Sequence, residues 1–222
     1  MILKDIIRSH EDTEEEEEDI TAGMELITAP ETWGPDTLTF FGKDSRAILI
    51  SGEVSQGLAN CVISQLLELA SECEEEPIYV YINTDGGDVI SGLAIYDMMR
   101  IIPCPIITVV MGACHSAGLF ILQGGDRRGA TPHASFFYHE PVAFYSANTE
   151  HATIAHTEHY KQLREQIDDI LQKRSKISKT AWKKDFAGKT AFFFSATQAK
   201  EYKLIDEIVD YTKPRPLKIK EA

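Results

Sequence analysis

Four short apolar runs dominate what this chain can become: AILI (47–50), PIYVYIN (77–83), IITVVMG (106–112) and ASFFYHE (134–140). Their composition is that of buried strands, and Gly52 closes the first of them. The stretches between them change period. From Ser55 to Cys73, the apolar residues Leu58, Val62, Leu66, Leu69 and Cys73 fall on one face of a helix. Residues 89–101, VISGLAIYDMMRI, read as a second helix stopped by PCP, and a short helix is expected after Ser116. Strands alternating with helices predict right-handed βαβ units and an α/β fold, and uninterrupted apolar strands fit a sheet covered on its faces.

The chain has 222 residues, which suits one or two domains, and 43% of them are hydrophobic, enough for a real core. Net charge is −13, so nucleic acid is not an expected partner. Residues 1–20 hold nine acids against Lys4 and Arg8, a net −7, so about half of the imbalance lies in the first tenth of the chain. That run, containing EDTEEEEED, reads as a solvated acidic tail or as a docking segment. TAPETWGPDT (28–37) is an arm punctuated by Pro and Gly.

The four cysteines, Cys61, Cys73, Cys104 and Cys114, form no CxxC pair and no zinc-like spacing, so neither a metal nor another cofactor is expected. No secretory pattern opens the chain, and no apolar run has the roughly 18 residues a membrane span needs. A cytoplasmic protein with free thiols and no membrane contact is the expectation.

The segment 150–176 differs from the rest. Tyr160, Leu163, Ile167, Ile170 and Leu171 keep helical spacing against a charged opposite face. The helix is long for the fold around it, and its apolar stripe can pack on its own domain or on another subunit. SATQAKEYKLIDEIVD predicts a helix, a turn and a short strand near the C-terminus. The division expected is an acidic, flexible arm over 1–38, one domain over 39–212 and a basic tail over 213–222.

Chemistry concentrates in three places. In MGACHSAGLF (111–120), Ser116 stands where an apolar strand gives way to a helix, but Cys114 breaks the full G-x-S-x-G pattern. It reads either as a helix cap or as a nucleophile, and a nucleophile needs a base, a group orienting that base, and oxyanion donors. His115 is a poor base for Ser116, because adjacent side chains diverge. His139, in FYHEP, lies at a strand end, where α/β folds place functional groups. NTDGGDVISG (83–92) follows a strand and opens a helix. It can serve as a phosphate loop or as an oxyanion hole, although both glycine-rich nucleotide fingerprints are missing. His151, His156 and His159 lie at spacings that do not favour a shared metal and read as solvated.

Taken in order, RAILISGEVSQGLANCVISQLLELA, IYVYINTDGGDVISGLAIYDMM, GACHSAGLFIL, FYHEP and FFFSATQAKEYKLIDEIV resemble the Clp protease proteolytic subunit (ClpP) family over residues 46 to 210. The resemblance implies a crotonase-like βαβ superhelix with the long helix as a protruding handle that interlocks two heptameric rings. It implies a serine endopeptidase enclosed in an oligomeric chamber, acting on peptides or unfolded proteins delivered by an AAA+ unfoldase ATPase. By position it makes Ser116 the nucleophile and His139 the general base, with the backbone N–H groups of Gly87 and Ala117 as the oxyanion hole. Residues 1–40 have no counterpart in it. The family's usual triad aspartate falls at Ala191, and the nearest upstream acid is Asp185. A catalytically weak or inactive subunit of a mixed assembly is therefore the alternative expectation.

Overall fold

The first two helices start at residues whose side chains do the capping. Ser55 accepts from the Leu58 N–H at 3.2 Å and opens α1 (Gln56–Glu72), along which Leu58, Val62 and Leu66 are buried and Leu69 half-buried. No basic residue lies in the last turn of α1; Arg46 supplies the missing donors from across the fold, with Nη1 on Leu69 O at 2.9 Å and Nη2 on Cys73 O at 2.8 Å. Asp88 opens α2 (Val89–Ile101), its Oδ1 accepting from the Ser91 N–H at 2.8 Å and the Ser91 hydroxyl at 2.6 Å.

The computed structural model describes residues 45–139, 149–175, 177–178, 180, 182, 186 and 191–209. The acidic run, the Pro/Gly arm, Asp185 and the basic tail lie outside the described residues.

Among the described residues the sheet has seven strands: β1 (Ala47–Val54), β2 (Ile78–Gly87), β3 (Ile106–His115), β4 (Arg127–Ala130), β5 (Ser135–His139), β6 (Ala191–Ser195) and β7 (Glu207–Ile208). The order β1-β2-β3-β4-β7 is parallel throughout, as alternating strands and helices predict. Further helices among the described residues are α3 (Ala117–Leu122), α4 (Glu150–Ser175) and α5 (Ala196–Glu201). The core lies between the sheet and the helices. Ile48, Ile50, Val80, Ile82, Ile106 and Val110 meet Leu66, Ile95, Met99 and Phe120 there, all buried. Each such side chain contributes about 2 kcal/mol by leaving water.

β3 carries the main topological event. Its first part, Ile107–Val110, pairs with β4; its last residues, Ala113–His115, pair with β5 instead. The sheet thus forks past Gly112, and β5 leads on to antiparallel β6. Two strands were not anticipated. β4 (RRGA) is short and charged, and β6 is only five residues long. β2 also runs on to Gly87, past the end of the apolar run PIYVYIN. Gly86 and Gly87, at φ +98° and +150°, let the chain kink while staying in register with Glu53 and Val54.

α4 is 26 residues, about 39 Å long. Leu163, Ile167 and Leu171 are buried against the chain's own domain, whereas residues 150–162 are exposed or half-buried. At the other end, the buried Arg128 guanidinium holds Asp206 through Nε and Nη2 at 3.1 and 2.7 Å, joining β4 to the approach of β7.

Candidate active site

The fork brings together residues far apart in sequence. β3 ends at His115, and α3 begins at Ala117, so Ser116 alone makes the corner. An ordinary N-cap has extended backbone and a side chain accepting from its own helix. Ser116 has neither: its φ and ψ are 51° and −114°, and its side chain makes no cap bond. Positive φ is uncommon outside glycine and persists only where the surroundings enforce it. Here the Ser116 N–H is held by Phe137 O at 2.9 Å on β5, and the hydroxyl turns to the end of that same strand, where His139 Nε2 lies 2.7 Å from Oγ. The structure thus joins the two residues singled out as nucleophile and base.

The glycine turn packs against the back of this corner. A Cβ on Gly86 would stand 2.6 Å from Ser116 Cβ, 2.8 Å from His115 O and 3.0 Å from Ala117 N, so only glycine permits the approach. Buried Thr84 steadies the turn by donating its hydroxyl to Gly52 O and accepting from Gly86 N–H at 3.0 Å. Gly87 follows at the end of β2, and Asp88 N–H is taken by Val54 O at 2.7 Å. The Asp88 carboxylate already occupies the start of α2, so an incoming phosphate would meet like charge there.

A cleft of about 320 Å³, open to solvent, runs beside the pair. Val89, Leu119, Phe120, Tyr138, Ile167 and Leu171 line it with Ser116 and His139. Two of these come from α4, so the long helix helps to wall the site.

His115, though next to Ser116, points elsewhere, as expected for adjacent side chains. Its Nδ1 lies 2.9 Å from Asp85 Oδ1 and its Nε2 3.2 Å from Ser135 Oγ. Nothing in the sequence announced this cluster. Its members lie on β2, β3 and β5, and only the pairing of Ala113 with Ser135 and of Thr84 with Cys114 brings them together. Cys114, the residue that spoils the G-x-S-x-G pattern, is fully buried, and burial pushes its thiol well above the ordinary range. It stays neutral and is no rival nucleophile.

Ala191 pairs directly with His139 across β5 and β6, and offers only a methyl group there. Asp185 falls outside the described residues. His151, His156 and His159 are exposed along α4. Among the described residues, no three His, Cys, Asp or Glu side chains are grouped to hold a metal ion, and no helix is long and apolar enough to cross a membrane.

Comparison with known proteins bears on these features. The family model for Clp protease matches residues 38–212. The ATP-dependent Clp protease proteolytic subunit 3 of Synechococcus sp. (strain CC9605) is 33% identical over 168 residues, 75% of this chain and 83% of the relative. The ATP-dependent Clp protease proteolytic subunit of Deinococcus radiodurans is 35% identical over 170 residues, 76% of this chain and 82% of the relative.

Proposed function

The chain belongs to the Clp protease family, and from that premise we propose that it is a serine endopeptidase with Ser116 as nucleophile and His139 as general base. The observation that carries the reading is the 2.7 Å contact between Ser116 Oγ and His139 Nε2, made from a strained corner that a structural serine has no need to adopt.

In this mechanism the Ser116 hydroxyl donates to His139 Nε2, which requires the neutral ring to carry its proton on Nδ1. Oγ attacks the substrate carbonyl carbon as Nε2 takes the proton. The carbonyl oxygen becomes an oxyanion, stabilised by the N–H groups of Gly87 and Ala117. Two points support that choice of donors. Gly86 N–H is committed to Thr84 and Asp88 N–H to Val54, which leaves Gly87 between them. Ala117 is the first residue of α3, and the first N–H groups of a helix have no partner within it. Collapse of the intermediate breaks the C–N bond, and Nε2 returns the proton to the leaving amine. A water, deprotonated by Nε2, then releases the acyl group as a carboxylic acid and restores Ser116.

Peptides or unfolded chains are the proposed substrates, and the proposed setting is a chamber of heptameric rings supplied by an AAA+ unfoldase. The names of the relatives and the largely exposed first half of α4 support this setting. A fluorophosphonate probe is expected to label the wild type and not Ser116→Ala, with peptide hydrolysis lost in both Ser116→Ala and His139→Ala. Equal labelling of wild type and Ser116→Ala would refute the proposal.

Ala191 favours a second reading, a weak or inactive subunit of a mixed assembly. In a chymotrypsin-type triad the acid that orients the histidine is worth about 10⁴ in rate, and at the family's position for that acid this chain carries alanine. Purified protein that assembles yet cleaves no peptide at any pH supports this reading; hydrolysis abolished by Ser116→Ala excludes it.

A further inference from the structure

Three side chains beside the proposed nucleophile form a hydrogen-bonded chain that the mechanism does not use: Asp85 at the end of β2, His115 at the end of β3 and Ser135 at the start of β5. We infer that His115 is a positioning residue, tying the strand that carries Ser116 to the oxyanion turn through Asp85 and to the strand that carries His139 through Ser135. The inference rests on the assignment of Ser116 and His139 above.

The placement is the first ground. Asp85 directly precedes Gly86 and Gly87, His115 directly precedes Ser116, and Ser135 shares a face of β5 with His139. One ring therefore touches all three elements that bring parts of the site together. The second ground is that the ring is held at both nitrogens and by an aromatic pair. A carboxylate only accepts, so Nδ1 carries a proton toward Asp85, and in the neutral ring Nε2 accepts from the Ser135 hydroxyl. Phe137 and Phe193 meet the ring edge-on, with centroids 5.8 and 5.5 Å away. Both nitrogens are thus engaged, and the stacked Phe137–Phe193 pair packs against one side of the ring.

The third ground is a mismatch of cost and effect. The Asp85 side chain is 90% exposed, and a contact of that kind adds little to stability. Position is a different matter. Oxyanion donors act only within a narrow range of distance, and a shift of about 1 Å can cost about a hundredfold in rate. Thr84 ties the turn to β1 through Gly52, and beside the pairing of Thr84 with Cys114, Asp85 adds a side-chain tie to β3. The site thus gains rigidity from a contact that folding scarcely needs.

The experiment uses the full chain in the assembly it forms, with a fluorogenic peptide and a peptide boronate that mimics the tetrahedral intermediate. Asp85→Ala and His115→Phe are expected to lower kcat about ten- to a hundredfold with KM held within about twofold, and to weaken boronate inhibition in proportion. His115→Phe keeps the aromatic packing and removes only the hydrogen bonds. Asp85→Asn is expected to retain most of the rate, because its carboxamide oxygen still accepts from Nδ1. Wild-type kcat in Asp85→Ala, a loss confined to KM, or Asp85→Asn as impaired as Asp85→Ala would each overturn the inference. If His115→Phe does not fold, the Asp85 pair decides alone, since that side chain faces solvent. Ser116→Ala runs alongside: if it still hydrolyses peptide, the assignment of Ser116 fails, and that failure is distinct from any outcome at Asp85.

Discussion

Ser116 and Gly86 are two halves of one steric arrangement. The serine bends through a backbone conformation suited to glycine, and the glycine gives up a side chain so that the bend fits. Ser116→Gly should therefore relieve strain, raising stability by about 1 kcal/mol in urea unfolding while abolishing fluorophosphonate labelling. Gly86→Ala should do the opposite to the fold. Its methyl would meet Ser116 Cβ at 2.6 Å in a backbone at φ +98°, so a loss of about 1–3 kcal/mol in the same assay is expected, with labelling slowed at least tenfold. At this scale much was legible in advance. Ser116, His139 and the paired glycines stand in short motifs whose order carries meaning. The Asp85–His115–Ser135 chain was not legible, because each member is ordinary alone and register decides who meets whom. His115 illustrates this well: local geometry ruled it out as a base, but only the fold reveals what it holds.

Among the elements, helices declared themselves through caps and period. Ser55 and Asp88 open α1 and α2 where the sequence expects a start, and α2 ends at Ile101 before PCP, which lacks the donor a helix needs. β4 and β6 escaped notice for a physical reason. RRGA has no apolar alternation, because Arg128 is buried through ion pairing with Asp206 instead of through an apolar surface. AFFFS pairs only with β5 and owes its place to that one partner. For α4, the sequence left two partners open, and burial answers for its second half, which belongs to the domain and to the cleft. Leu171→Ala, removing a side chain 1% exposed that lines the cleft, should cost about 2–5 kcal/mol by chemical denaturation and also raise KM for peptides with apolar residues. Ile154, 58% exposed on the first half of α4, is the place to test assembly: Ile154→Asp should lower the particle mass seen by light scattering if rings meet through this helix.

The whole molecule responds to pH through its buried-edge carboxylates. For Asp206, burial alone would raise the carboxyl, but hydrogen bonds and charge from Arg128 outweigh it, and the group lies below its ordinary value of 3.8. Asp126 behaves likewise: burial opposes, and the Ile106 N–H and Arg100 prevail. A carboxyl lowered on folding contributes stability that is present above the unfolded value and lost as pH falls through the folded one. The melting temperature should therefore fall below about pH 4, and Asp206→Asn should be less stable than wild type at neutral pH, with the gap closing as acid is added. Differential scanning calorimetry across that range reads both effects.

The fork in β3 has a mechanical consequence. The nucleophile rides on the main ladder, while the base rides on the antiparallel β5–β6 pair grafted to it along three residue pairs, Ala113–Ser135, Cys114–Phe136 and His115–Phe137. Such a short seam can open like a latch without melting the five-strand body beside it, and opening it carries His139 off Ser116. The amides of β5 should thus exchange with solvent deuterium before those of β2, and the reactive lifetime of the serine would then be set by how long three rungs stay closed.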